Sequence, residues 1–280
     1  MKSYEKYLLF LIFLAGCVML TSCAFMASQH HSSSVVQYLY PDQNDYIETT
    51  GIPRLALPLK VGIAFVPEAN KRHQTLTERD KMQLMDEVSK HFKKLDFVKS
   101  IELIPSAYLR NEGSFTNLDQ IHTMYGIDVV TLLSYDQTQF IDEGLASITY
   151  WTLAGAYIIP GEKNDTHTMV DASVYDIQSR KMLFRAPGIS HIKSKATPVN
   201  LSERLRVDSM KSFQEASKDL VANLDIQLEL FKEKVKDLPE EYQIIHKPGY
   251  TGGGSIDGSL IVLLSILSGY WLWLKKNKKA

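Results

Sequence analysis

Cysteine and histidine are the residue types in this chain best suited to covalent or metal chemistry. The 280 residues include two cysteines, Cys17 and Cys23, and both lie near the amino terminus. Two cysteines exclude a disulfide framework and a cysteine-rich zinc site. Thiol chemistry is therefore confined to the amino terminus, and the rest of the chain is independent of redox state.

The eight histidines do not form a metal-binding motif along the sequence. Only His30 and His31 are close together, and a solvated linker is the favoured interpretation of that pair. Asp171 and Asp176 are five residues apart, so on a strand they would face opposite sides and could not form a dyad. HExxH, GxSxG, GxGxxG and P-loop motifs are absent from the sequence. The sequence predicts a protein that is not an enzyme, with no cofactor and no metal; a secreted hydrolase is the alternative.

Residues 1–23 have the pattern of a targeting segment. Lys2 and Lys6 give a basic start, and an uncharged, largely apolar run extends from Tyr7 to Leu20. That run has the length of a signal peptide and is short for a membrane span. It ends in small residues before a cysteine at positions 20–23 (LTSC), and an earlier match lies at positions 14–17 (LAGC).

These tetrapeptides resemble the lipobox of bacterial lipoproteins. In such proteins the cysteine thiol carries diacylglycerol and becomes the new amino terminus after cleavage. The resemblance implies lipid attachment, detectable with labelled palmitate, at Cys23, because a full apolar run precedes it; Cys17 is the alternative. Ala24 follows, and the absence of Asp there implies release towards the outer membrane. The other interpretation of the segment is an uncleaved membrane helix with buried cysteines.

The carboxyl terminus has the pattern of a single membrane span. Residues 256–274 are mainly apolar, and as a helix they would extend about 28 Å, enough to cross the bilayer. Tyr270, Trp271 and Trp273 lie near the end of this stretch, and four lysines follow directly. Interfacial aromatic residues followed by lysines predict a transmembrane helix with a cytoplasmic tail and the body of the protein outside.

A glycine motif, Gly252, Gly253, Gly254 and Ser255, precedes that span. Glycine weakens a helix and leaves its backbone accessible to a protease. The order of glycine motif, apolar helix and basic cluster resembles the GlyGly-CTERM sorting signal, which is cut by rhomboid-type serine proteases called rhombosortases. A lipobox and this tail in one chain resemble the rhombotarget lipoprotein family, and residues 32–41 (SSSVVQYLYP) are similar to its amino-terminal signature. A permanent tail anchor behind a flexible glycine linker is the alternative.

Composition agrees with an ordinary globular body between these ends. The chain has 31 Lys and Arg against 32 Asp and Glu, with 45% hydrophobic residues. A neutral balance of this kind argues against nucleic acid as a partner. The sequence divides into a signal peptide (1–23), a polar tether (24–50), a globular domain (51–247) and the glycine motif with helix and basic tail (248–280).

Residue patterns within the domain predict an α/β (α+β) fold, a mixed sheet with packed helices in the order βαβαβ, hairpin, α. Helices are expected to begin at Thr77, with Asp80 completing a capping box, and at Asn117, with a stop at Gly126. A long helix follows Asn200 and ends before Pro239. Strands are expected over 59–66, 97–104, 127–135, 148–159, 166–177 and 181–185, with 188–195 as a continuation. The apolar stretch 150–159 is either a core strand or a surface for a partner or membrane.

These expectations describe a bacterial cell-envelope lipoprotein with a non-enzymatic binding or assembly domain. It would lie in the inner membrane before processing and in the outer membrane or at the cell surface afterwards. Its expected partners are the membrane, the lipoprotein-processing enzymes, the sorting protease and a further envelope protein.

Overall fold

A mixed β-sheet forms the centre of the computed structural model of this chain, which describes residues 27–41, 51–68, 76–143, 162–197 and 199–250. Three predictions lie outside the described residues: the lipid-attachment cysteines, the apolar stretch 150–159, and the carboxyl-terminal segment with its glycine motif and span. Within the described ranges, no helix combines the length and the apolar character needed to cross a membrane.

The described residues form eight strands, four α-helices and one short 3₁₀ helix. The strands are β1 (Ala27–Ser33), β2 (Arg54–Leu57), β3 (Leu59–Phe65), β4 (Val98–Ile104), β5 (Val129–Glu143), β6 (Glu162–Asp176), β7 (Met182–Ala196) and β8 (Gln243–His246). The helices are α1 (Val35–Leu39), α2 (Glu78–Phe92), α3 (Ser114–Tyr125) and α4 (Leu201–Asp237), and the 3₁₀ helix is Ser106–Tyr108.

The main sheet has the order β4-β3-β5-β6-β7, and β1 pairs with β5 beyond the end of β3. The β3–β4 and β3–β5 pairs are parallel, whereas β1–β5, β5–β6 and β6–β7 are antiparallel. A small parallel sheet, β2–β8, lies beside it. The fold is therefore a mixed α+β fold with helices packed on a mixed sheet, as the patterning predicted.

Two hydrophobic cores lie on opposite faces of the main sheet. One joins the sheet to α2 and α4, with Val88 and Phe213 among its buried side chains. The other joins the sheet to α1 and α3, with Leu39 and Leu118 among its members. Helices on both faces bury the central strands, which explains the nearly continuous apolar sequence of β3 and of the first half of β5.

Local sequence signals explain where α2 and α3 begin and end. Thr77 and Asp80 form the predicted capping box, in which each side chain binds the backbone N–H of the other. Gly126 ends α3 in the left-handed conformation, with φ of 63°, as predicted. The predicted start of α3 at Asn117 is wrong, because the helix begins at Ser114. The Asn117 side chain is instead buried, where it accepts hydrogen bonds from the Tyr38 hydroxyl and the Arg110 N–H.

The polar tether predicted for residues 24–50 is wrong for residues 27–41. These residues form β1, which pairs with β5, and α1, which lies on the sheet. Val35, Tyr38 and Leu39 bury one face of α1, and the Tyr38 hydroxyl lies 2.9 Å from Asn117 Oδ1. Three apolar side chains at helical spacing stabilise this segment, even though most of its other residues are polar.

Helix α4 covers one face of the long strands β5, β6 and β7. The Gln137 amide donates to Thr168 Oγ1 (2.7 Å) and to the Ser209 carbonyl (3.1 Å). The Gln139 amide makes the equivalent pair of bonds one turn earlier along α4, to Thr166 and to the Leu205 carbonyl. These buried amides fix the register of the helix on the sheet, because an unpaired amide there would cost about 1–3 kcal/mol. Along β5 and β6, the side chains that alternate with these glutamines and threonines project from the opposite face of the sheet.

Candidate functional site

None of the predicted processing residues lies in the described part of the chain. Cys23, its alternative Cys17, and the protease-processing motif Gly252 to Ser255 all fall outside it. Two other arrangements in the described residues have the chemistry of binding sites: an apolar cavity and a cluster of histidine and aspartate side chains.

The apolar cavity has a volume of about 430 Å³ and lies between the main sheet, the small sheet and the carboxyl half of α4. That volume falls within the roughly 300–1,000 Å³ range of small-molecule sites. Its walls come from both sheets and from three helix or loop regions, and most of their side chains are aliphatic or aromatic. Representative wall residues are Leu57, Leu59, Phe97, Leu183, Phe231 and Val235.

The small sheet closes one side of this cavity. Strand β2 runs parallel to β8, and backbone bonds at both ends extend the pairing: Gln243 N–H donates to the Pro53 carbonyl and Lys247 N–H to the Leu57 carbonyl. Sequence patterning missed both strands because each has only four residues and β8 is exposed along its length. Their pairing across a long sequence separation places Leu55 and Leu57 opposite α4.

Three lysines and one aspartate stand among the apolar residues that line the cavity: Lys94, Asp96, Lys232 and Lys236. Lys232 is the most constrained, because its ammonium lies 2.6 Å from Glu229 Oε1 and 5.8 Å from the centre of the Phe97 ring. Lys94 and Lys236 are exposed. The lining is therefore apolar with a surplus of positive charge.

Asp165, His167 and His191 form a compact cluster on the face of the sheet opposite α4. Asp165 and His167 alternate on β6, and His191 on β7 is the direct cross-strand partner of His167. The imidazole rings stack with centres 4.0 Å apart and planes inclined by 18°. Asp165 Oδ1 lies 3.2 Å from His167 Nε2 and also contacts His191 Nε2. All three side chains are at least a third exposed.

A second histidine–aspartate pair lies on the same face. His30 on β1 faces Thr138 on β5, which faces His167 on β6, so the three lie in one row across the strands. His30 Nε2 is 3.2 Å from Asp136 Oδ2. Because adjacent strands are about 4.8 Å apart, this pair is about 10 Å from the cluster. Exposed Phe140, Met169 and Ile189 separate and flank these polar groups.

Sequence reasoning identified His30 and His31 as neighbours but missed the cluster. The missed signal is Asp165-x-His167 on an alternating strand, combined with a histidine on the returning strand of the hairpin. The register is decided by an irregularity between Val174 and Tyr175. If the register of the Tyr175–Met182 pair continued along the hairpin, Ser190 would lie opposite His167. The His191 side chain would then project from the face of the sheet that α4 covers.

The two aspartates considered as a dyad have separate structural partners. Asp171 accepts hydrogen bonds from Arg185 Nε (2.5 Å) and from the Ser173 hydroxyl. Asp176 accepts the Ser179 N–H in the turn that connects β6 with β7. Both side chains are buried and serve the hairpin.

Comparison with known proteins leaves the chain without an assigned family. No family model matches it, and no curated protein matches it. Among solved structures, a PelC dodecamer from Paraburkholderia phytofirmans aligns with a TM-score of 0.26 and 9% identity, covering 70% of this chain and 96% of that chain. The hypothetical protein CT253 from Chlamydia trachomatis aligns with a TM-score of 0.23 and 14% identity, covering 65% and 97%. Scores at this level do not establish a shared fold.

Proposed function

We propose that this protein is a bacterial cell-envelope lipoprotein whose globular domain binds an amphiphile with an acyl chain, without catalysing a reaction on it. The observation that carries this proposal is the apolar cavity of about 430 Å³ with three lysines in its lining. An apolar chain would occupy the interior, and an anionic head group would lie near Lys94 and Lys236.

The envelope location in this proposal rests on the two ends of the sequence. Cys23, or Cys17 as the alternative, would carry the lipid, and a rhomboid-type protease would cut near Gly252 to Ser255. The protein would then move from the inner membrane to the outer membrane or the cell surface. Its partners would be the processing enzymes, the membrane and an envelope protein, but not nucleic acid.

Binding of an acyl chain is inferred from the mostly apolar side chains of the cavity lining and the lysines among them. Each methylene group transferred from water to an apolar site contributes about 0.8 kcal/mol, or nearly fourfold in affinity. The lining is largely hydrocarbon, so affinity should rise with chain length until the cavity is full. The rim lysines add an electrostatic preference for an anionic head over a neutral one.

Displacement of a fluorescent fatty acid such as cis-parinaric acid tests the proposal on the domain of residues 27–250. The range begins at residue 27 because a domain that started later in the sequence would lack part of β1. We expect saturable binding of one probe, displaced by laurate more strongly than by octanoate. Absence of saturable binding, or equal displacement by both acids, would contradict the assignment of the cavity.

Two matched pairs of variants locate the bound chain and its head group. Val235→Trp fills the cavity and should weaken binding more than tenfold, whereas Ile226→Trp changes an exposed position on the same helix and should not. Lys236→Glu should weaken binding of laurate but not of its methyl ester. Lys218→Glu, exposed on α4 away from this cavity, is the control. Equal effects within either pair would place the ligand elsewhere.

A further inference from the structure

We propose that Asp165, His167 and His191 form a binding site for a divalent cation of the Zn²⁺ type, with three protein ligands and an open coordination position. This site is on the opposite face of the sheet from α4, and it is independent of the cavity and of the proposed acyl-chain ligand. It also replaces the sequence-based expectation of no metal with a specific set of ligands.

The backbone places these three side chains on one surface. Asp165 and His167 are two residues apart on β6, and side chains at that spacing project from the same face of a strand. His191 on β7 is paired directly with His167, so its side chain projects from that face as well. The ligands therefore come from two adjacent, hydrogen-bonded strands rather than from a loop, which limits how far they move apart.

The donor atoms are already close to coordination distance. One carboxylate oxygen of Asp165 and one ring nitrogen of each histidine all lie within 4.8 Å of one another. Zinc binds nitrogen and oxygen ligands at about 2.0–2.2 Å in tetrahedral geometry, so two donors on one ion are about 3.4 Å apart. The widest pair must therefore close by no more than about 1.4 Å, which rotation of half-exposed side chains supplies.

The donor set selects the class of cation. Two imidazole nitrogens with one carboxylate suit Zn²⁺, Cu²⁺ or Ni²⁺, whereas Ca²⁺ and Mg²⁺ prefer sites made of oxygen. Three protein ligands with a fourth position open to solvent are the arrangement of accessible zinc sites. The open position lies on an exposed face, where water or a donor group from a partner can fill it.

Neighbouring side chains restrict the ligands, and the Lys193 ammonium competes for Asp165. The Phe140 ring meets the His167 ring edge-on, with centres 6.1 Å apart, and restricts its rotation. Lys193 Nζ lies 3.8 Å from the other carboxylate oxygen, Asp165 Oδ2. Because that contact is long, exposed and to the oxygen not used for coordination, it competes weakly with a cation.

Calorimetric titration of Zn²⁺ into the full-length protein tests the site. The protein is purified in detergent without a histidine tag and stripped of metal beforehand. We expect one saturable site per chain, and we expect His167→Gln and His191→Gln each to weaken binding by at least tenfold. His30→Gln is the matched control: it changes an exposed histidine that also pairs with an aspartate, and the affinity should remain within twofold.

Cu²⁺ electron paramagnetic resonance gives a second readout, and its wild-type spectrum does not depend on how the variants fold. Superhyperfine structure from two imidazole nitrogens is expected, reduced to one in His191→Gln. Absence of saturable Zn²⁺ binding, or an unchanged affinity in the double variant His167→Gln/His191→Gln, would overturn the proposal. A copper spectrum without imidazole nitrogens would overturn it as well.

Discussion

Replacing Gly188 by Ala tests how closely α4 must approach the sheet. Gly188 lies on β7 where α4 crosses the strand, and a Cβ atom there would lie 2.1 Å from the Ala216 carbonyl oxygen and 2.3 Å from the Leu220 nitrogen. Both are backbone atoms of the helix, so no side-chain rotation relieves the overlap. The helix would have to retreat by about 0.9 Å to reach even the 3.0 Å limit of real Cβ contacts.

That displacement sets the expected size of the effect. Overpacking a well-packed interior costs about 1–3 kcal/mol, and overlap with two backbone atoms of the helix puts Gly188→Ala at the upper end, near 3 kcal/mol. The same helix supplies Leu228, Phe231 and Val235 to the cavity wall. The variant should therefore also weaken fatty-acid binding, because the wall moves with the helix.

Urea denaturation followed by circular dichroism at 222 nm measures this loss in the domain of residues 27–250. Gly62→Ala is the control, because a Cβ there would meet the methyl ends of Ile127 and Ile104, at 2.4 and 2.9 Å, and not backbone. Those ends can rotate away, so we expect a loss of about 1 kcal/mol. A Gly188→Ala loss equal to or smaller than that of Gly62→Ala would refute the close approach of helix and strand.

Three further predictions concern the ends of the chain and one buried phenol. Labelled palmitate should enter the wild type and the Cys17→Ser variant but not Cys23→Ser; loss of label in Cys17→Ser alone would move the lipid to Cys17. Alanine at all three positions of residues 252–254 should block carboxyl-terminal processing, because each glycine weakens a helix by about 1 kcal/mol relative to alanine, and immunoblotting should then show only a larger species. Burial raises the pKa of Tyr175 to about 12. Because the folded-state pKa lies above the unfolded value near 10, this stabilisation is present below about pH 10 and is lost as pH rises towards 12. Tyr175→Phe should flatten that decline in a series of urea denaturations.

The parts of the fold predicted from sequence are those whose signals are local. Helix α2 combines a capping box with an apolar stripe, and both act within a few residues, so its start at Thr77 is correct. The hairpin of β6 and β7 has alternating strands on either side of a short turn, and its strands extend further than predicted. Gly126 ends α3 because glycine adopts a positive φ without strain.

The parts that sequence patterning missed depend on distant partners. The polar sequence of β1 is typical of a linker. Its backbone nevertheless pairs with β5, more than a hundred positions later in the chain. Buried Asn117 looks like a helix cap but is needed to satisfy the Tyr38 hydroxyl. A cap and a buried hydrogen-bond partner use the same residue type, so only the tertiary contact distinguishes them.

The histidine–aspartate cluster shows how one irregularity in a strand changes a site. His167 and His191 are 24 residues apart, and alternation alone does not say which residue of β7 faces which residue of β6. The shift in register between Val174 and Tyr175 makes that choice. A shift of one residue reverses the face of every later side chain on the strand. The spacing of the histidines in the sequence therefore could not predict the cluster.

Mass spectrometry of the protein isolated from bacterial envelopes is the most direct test of the central claim, a lipid-anchored domain that binds an acyl-chain ligand. The native mass should exceed the denatured mass by one amphiphile that is released on unfolding. The denatured chain should begin at an acylated Cys23 and should lack Trp271 and Trp273. Equal native and denatured masses, even after incubation with laurate, would contradict the binding function. An unacylated chain that retains both tryptophans would contradict the envelope lipoprotein.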